Sequence, residues 1–144
     1  MAILQYAAKY NHTDLVDEAA PLTIEYEFLE VKNQFEKGSR IPYIWLEYRE
    51  QWASIIKWIY TVNPPISTQH KGGLSECNLW KPFYWKVLED LKMCPSRVKR
   101  ARQFIEMDIT RKLEDCSHCI RRAQKWIIAA EAKIEAIQPL SNFL

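Results

Sequence analysis

The sequence predicts an all-α fold of about six to seven helices, and three observations carry that expectation. Only three glycines occur, Gly38, Gly72 and Gly73. That is too few for a turn-rich all-β protein or for phosphate-cradling loops. Apolar residues recur at alternating steps of four and three through two long stretches, roughly 42–62 and 97–137, the period of a helix buried along one face. Proline falls at the edges of these stretches, where a helix tolerates it. A single helical domain over 1–144 is expected, because the length suits one core. The chain is 48% apolar and 12% aromatic, with six tryptophans, which argues for a folded chain over a disordered one.

Element by element, Ile3 to Tyr10 reads as a short helix. Thr13 reads as the N-cap of a second, with Asp14, Asp17 and Glu18 near its positive end and a break at Pro21. A third helix is expected over roughly 25–36, with Phe28, Val31 and Phe35 on one face and Gly38–Ser39 as its stop. The region 1–36 thus holds short helices. Pro42 opens the long aromatic helix, striped by Ile41, Trp45, Tyr48, Trp52, Ile55, Ile59 and Val62, and Asn63–Pro64–Pro65 ends it. Residues 64–75 form the one clear loop. The C-terminal helices occupy 76–137: a short turn and then a helix with Pro82 in its first turn, a break at Cys94–Pro95–Ser96, and then one long helix over 97–137, or two with a kink near Asp108. Its stripe is Ile105, Ile109, Leu113, Cys116, Ile120, Ala123, Ile127, Ala130, Ile134 and Ile137. Gln138–Pro139 stops it, and Phe143–Leu144 is expected to fold back onto the body.

Several function classes are disfavoured. No apolar run reaches the roughly 18 residues of a membrane span, and the start lacks the form of a signal peptide, so an intracellular chain, cytoplasmic or nuclear, is expected. The acceptor pattern at Asn11–His12–Thr13 then reads as chance. Formal net charge is +2. Residues 1–72 hold 7 basic and 9 acidic side chains, and residues 73–144 hold 13 and 9. A tilt this small is weak support for nucleic acid. No serine or cysteine has the glycine setting of a hydrolase nucleophile, and the acids are scattered over helix surfaces, so no enzyme is expected.

The four cysteines, Cys77, Cys94, Cys116 and Cys119, carry the candidate chemistry. Four thiolates could hold a structural zinc, the only cofactor the chain suggests. Against zinc, Cys116–Ser117–His118–Cys119 lies inside a helical pattern and Cys116 falls on the apolar stripe, where a thiol serves as a small hydrophobe. Packed thiols are the stronger of the two readings, and a redox pair is the weakest, for want of the βαβ context of a thioredoxin-like motif. His118 is expected off the stripe and solvated, and His70, in the loop, reads as exposed. The basic residues Arg97, Lys99, Arg100, Arg102, Arg121, Arg122 and Lys125 interleave with acids, as a salt-bridged surface would.

Two stretches together resemble a known family. LQYAAKYNHTDLVDEAAPLTI resembles the helices that close a BTB/POZ domain and begin the BACK-like region after it. IPYIWLEYREQW, GGLSECNLW, the CSHC pair and the ending KIEAIQPLSNFL resemble the C-terminal region of BTB/POZ proteins of mushroom-forming fungi. The resemblance covers nearly the whole chain, and its motifs are loose. It implies a BACK-like region whose α/β BTB core is missing or truncated, so that BTB dimerisation and cullin-adaptor activity do not carry over. By the resemblance, Cys77, Cys116 and Cys119 sit where the family also tends to place cysteines, which raises the zinc reading slightly. The expected function is a non-enzymatic protein–protein interaction module, monomer or homodimer, with an apolar patch near residues 1–10. The alternative is a zinc-stabilised helical domain that contacts nucleic acid through the basic surface.

Overall fold

The computed structural model describes residues 1–61, 77–113 and 116–144. The predicted loop at 64–75, Val62, His70 and the start of the 76–137 region at Glu76 lie outside these residues. The all-α expectation holds: among the described residues there are eight α-helices, two 3-10 turns and no strand. The helices are α1 (Ala2–Lys9), α2 (Thr13–Ala19), α3 (Phe28–Asn33), α4 (Ile41–Thr61), α5 (Trp80–Leu91), α6 (Pro95–Val98), α7 (Ala101–Lys112) and α8 (Ser117–Glu135). None of them is long and apolar enough to cross a membrane. They fall into two compact units, one of residues 1–54 with 136–144 and one of residues 55–135.

The first unit is built around the N-terminal part of α4. That helix starts just after Arg40, whose carbonyl accepts the Ile44 N–H at 3.2 Å, and Pro42 sits where its missing N–H costs nothing. Its aromatic stripe is buried as the period requires, with Trp45 at 0% and Tyr48 and Trp52 at 3% exposure. Trp45 Nε1 donates to Thr23 Oγ1 at 2.9 Å, and that hydroxyl donates onward to the Ala20 carbonyl at 2.7 Å. The buried indole therefore keeps a partner. Leu4, Ala7, Val16, Ile24 and Val31 complete this core. The C-terminal residues return to it. Ser141 donates its N–H and its hydroxyl to the Asp17 carboxylate at 2.8 and 2.6 Å, and Leu140 is fully buried. The anchor is thus Leu140, while Leu144 remains half exposed.

Boundaries shift by small amounts with local causes. His12, not Thr13, is the N-cap of α2. The third helix is shorter than the expected 25–36, because Glu27 is extended at its cap and donates its N–H to Glu30 Oε2 at 2.8 Å.

The second unit packs α5, α7 and α8 over the last residues of α4. Ile55, Ile59, Phe83, Val87, Leu91, Val98, Ile105, Leu113, Ala123, Trp126 and Ile127 are buried there. Tyr60 of α4 donates its hydroxyl to the Leu88 carbonyl at 2.6 Å and accepts the Met93 N–H at 2.7 Å, which holds the end of α5. Lys92 and Met93 take the left-handed conformation there, the α5 stop that glycine commonly supplies.

The expected long helix over 97–137 is corrected. It is divided into the end of α6, α7 and α8, and the second break falls after Lys112, not near Asp108. Leu113 leaves helical geometry while its N–H still bonds the Ile109 carbonyl at 2.9 Å. The stripe survives in phase, since Ile105, Leu113, Cys116, Ala123, Ile127 and Ala130 are all buried. Asp108, read from sequence as a surface acid, is 1% exposed, and neither of its oxygens meets a hydrogen-bond donor. Burial, and then the Asp90 carboxylate beside it, push its pKa above the ordinary aspartate value.

Two expected outcomes follow from this packing. Trp52→Ala lowers the unfolding free energy by about 3–5 kcal/mol in urea denaturation, the cost of emptying a buried indole site. A raised folded pKa makes the Asp108 contribution fully present below the ordinary carboxylate value and lost as pH rises through the folded value. Asp108→Asn therefore raises stability at pH 7 by about 1–2 kcal/mol. Paired urea melts should show that gap closing towards ~pH 4.

Candidate metal centre

Three cysteines from two distant segments meet in the second unit. Cys77 lies in the turn that leads into α5, where its carbonyl accepts the Trp80 N–H at 3.0 Å. Cys116 immediately precedes α8, and its carbonyl accepts the first helical bond, from Ile120 at 3.0 Å. Its sulfur does the capping work usually done by a serine or aspartate oxygen, accepting the Cys119 N–H at 3.4 Å. Cys119 stands one turn further along, almost fully buried, while Cys77 is half-buried. The Cys77 and Cys116 sulfurs are 3.8 Å apart, and all three sulfurs lie within 4.8 Å of one another. Four sulfurs placed tetrahedrally at the usual zinc–sulfur distance are separated by ~3.8 Å, so the Cys77–Cys116 pair already spans one edge of such a site.

The electrostatics divide the three thiols. Burial alone pushes the Cys116 thiol up, but the N–H of Cys119, the thiols of Cys119 and Cys77 and the N–H of His118 together outweigh it. The net direction is down. Burial, and then the neighbouring Cys116 and Cys77 sulfurs, push the Cys119 thiol up.

Of the four predicted ligands the structure joins three. Cys94 stands elsewhere, as the N-cap of α6 with its sulfur 3.3 Å from Ser96 Oγ. His118 is half-buried, where sequence placed it in solvent. His12 stacks on Tyr6, with ring centroids 5.9 Å apart.

The predicted basic surface is largely committed to its own neighbours. Arg102 bridges Glu131 and Glu106. Arg97 donates to the Asp90 carbonyl at 2.6 Å, and Arg97 and Arg100 both approach the Phe104 ring. Arg122 lies over the Trp80 ring at 4.0 Å. Lys99, Arg121 and Lys125 are exposed. Sequence reasoning did not foresee the Arg122–Trp80 contact. The available signal was spacing, since Trp80 follows Cys77 by three residues and Arg122 follows Cys119 by three. The contact therefore ties together the same two segments that bring the thiols.

No protein-family model, no curated protein and no solved structure matches the chain.

Removing the clamp should loosen the segments that carry the cluster. Arg122→Ala lowers stability by about 0.5–2 kcal/mol in urea unfolding, whereas Lys125→Ala, at an exposed position of the same helix, changes it by less than about 0.5 kcal/mol.

Proposed function

We propose that the chain is a non-enzymatic protein-interaction module whose 55–135 unit is fastened by a zinc ion held on Cys77, Cys116 and Cys119. The observation that carries the zinc reading is the meeting of three sulfurs from positions 39 residues apart. Thiolates are the donors that select zinc over hard cations. The described thiols supply three of its four positions, and a water or a further side chain completes the tetrahedron. A zinc closed over that span ties α5 to the start of α8, in place of the larger core that a small unit lacks.

The interaction reading is supported by α1. Leu4 and Ala7 on one side of this helix are fully buried, yet Ile3, Tyr6 and Tyr10 on another side are 57, 54 and 56% exposed. Steps of three and four put these three on one outward stripe, and the Tyr6 and Tyr10 rings lie 4.8 Å apart. A helix that is apolar on two sides is suited to a protein partner on the outer one. A nucleic-acid surface is less well supported, because Arg97, Arg100, Arg102 and Arg122 are engaged within the unit.

Native mass spectrometry of the full chain, with and without chelator, tests the reading. One zinc per chain is expected, with an unfolding midpoint that falls on chelation and a zinc affinity that falls as pH drops and the thiols regain protons. Cys77→Ser and Cys119→Ser lose the ion, and Cys94→Ser keeps it. A metal-free chain indifferent to chelator removes the zinc. The interaction side is read separately: Ile3→Glu with Tyr6→Glu should abolish binding of an apolar-surface dye and leave the helical circular dichroism unchanged. Dye binding that survives the double substitution removes α1 as the interaction face.

A further inference from the structure

The same thiols invite a second chemistry that zinc binding does not require. We infer that Cys77 and Cys116 form a hydroperoxide-oxidised pair, closing a disulfide that excludes the metal.

The geometry argues for this pairing within the cluster. The Cys77 and Cys116 sulfurs are 3.8 Å apart, close to van der Waals contact. Closing them to a disulfide requires a movement of roughly 1.8 Å. Cys77 stands in the turn ahead of α5 and Cys116 ahead of the first residue of α8, so neither belongs to a helix. Cys119 differs: it belongs to α8, it is 1% exposed, and its N–H is given to the Cys116 sulfur. Cys77 is the most open of the three, so the pair meets solvent at its sulfur. Cys94, the fourth thiol, lies at the start of α6 beside Ser96 and takes no part.

The reaction balances with one equivalent of hydrogen peroxide. One thiolate of the pair attacks one peroxide oxygen, the O–O bond breaks, and sulfenic acid and hydroxide result. The other thiol then attacks that sulfur. Its proton leaves with the hydroxyl as water, and the S–S bond forms. Two thiols are oxidised by two electrons, and the peroxide is reduced to water. A disulfide sulfur is no longer a thiolate, so a zinc held on the three cysteines loses two of its ligands. Peroxide and metal therefore compete for the same atoms.

The test uses the full chain, prepared metal-free with chelator and, separately, loaded with zinc. Each is treated with hydrogen peroxide, its remaining thiols are blocked, and its linkages are mapped by peptide mass spectrometry. In the metal-free chain a Cys77–Cys116 link that a thiol reductant reverses is expected. Cys77→Ser and Cys116→Ser should each stop at a sulfenic acid on the remaining cysteine of the pair, captured by dimedone, and Cys119→Ser should still form the link. A dominant Cys116–Cys119 or Cys94 linkage overturns the assignment, as does a cluster left fully reduced while Cys94 oxidises. In the zinc-loaded chain, disulfide should appear more slowly and release one zinc per link to a coloured chelator. An oxidised chain that retains its zinc overturns the competition. A chain that never binds zinc but forms the link refutes the metal reading and leaves the disulfide standing.

Discussion

The candidate site depends on a helix that starts at Ser117. An amide in the first turn of a helix has no carbonyl behind it to bond. Cys119 carries such an amide, and it donates to the Cys116 sulfur. In an unbroken helix running on from α7, that N–H would bond the carbonyl four residues earlier, and the sulfur of Cys116 would be a packing atom and nothing more. The break converts a hydrophobic thiol into a hydrogen-bond-accepting cap. It also sets that sulfur beside Cys77 rather than inside a continuous apolar seam.

The surroundings of the cluster serve the same end. The Arg122 guanidinium over Trp80 joins the two segments one turn beyond the sulfurs. Tyr84, on the α5 turn after Trp80, lies 5.3 Å from the Trp126 ring of α8. These contacts join the same two segments that carry the thiols. Sulfurs held near one another would serve the proposed zinc and the proposed disulfide alike.

The first unit follows a different logic. Its core hangs on the aromatic stripe of α4, and the polar atom of its most buried indole is satisfied by Thr23 rather than by water. Asp17 accepts both the backbone and the side chain of Ser141, which fixes the C-terminal turn on α2. Outside that core, the exposed Tyr6 packs on the Tyr10 and His12 rings.

Much of the fold was legible because amphipathic periodicity is a local property. The stripe from Trp45 to Ile59 and the stripe from Ile105 to Ala130 could be read off as helix faces, and Pro42, Pro82 and Pro95 fell where helices begin. The break after Lys112 was not legible: neither glycine nor proline marks it, and a sulfur cap has no distinctive sequence signature. Sequence alone determined that the chain is helical, which faces are apolar, and that four thiols are present. Tertiary structure alone decided that Cys77 joins Cys116 and Cys119 while Cys94 does not, that Asp108 is buried, and that Arg122 faces a ring instead of solvent. Helical period is set within a few residues, whereas a meeting of groups 39 positions apart is set by how whole helices pack.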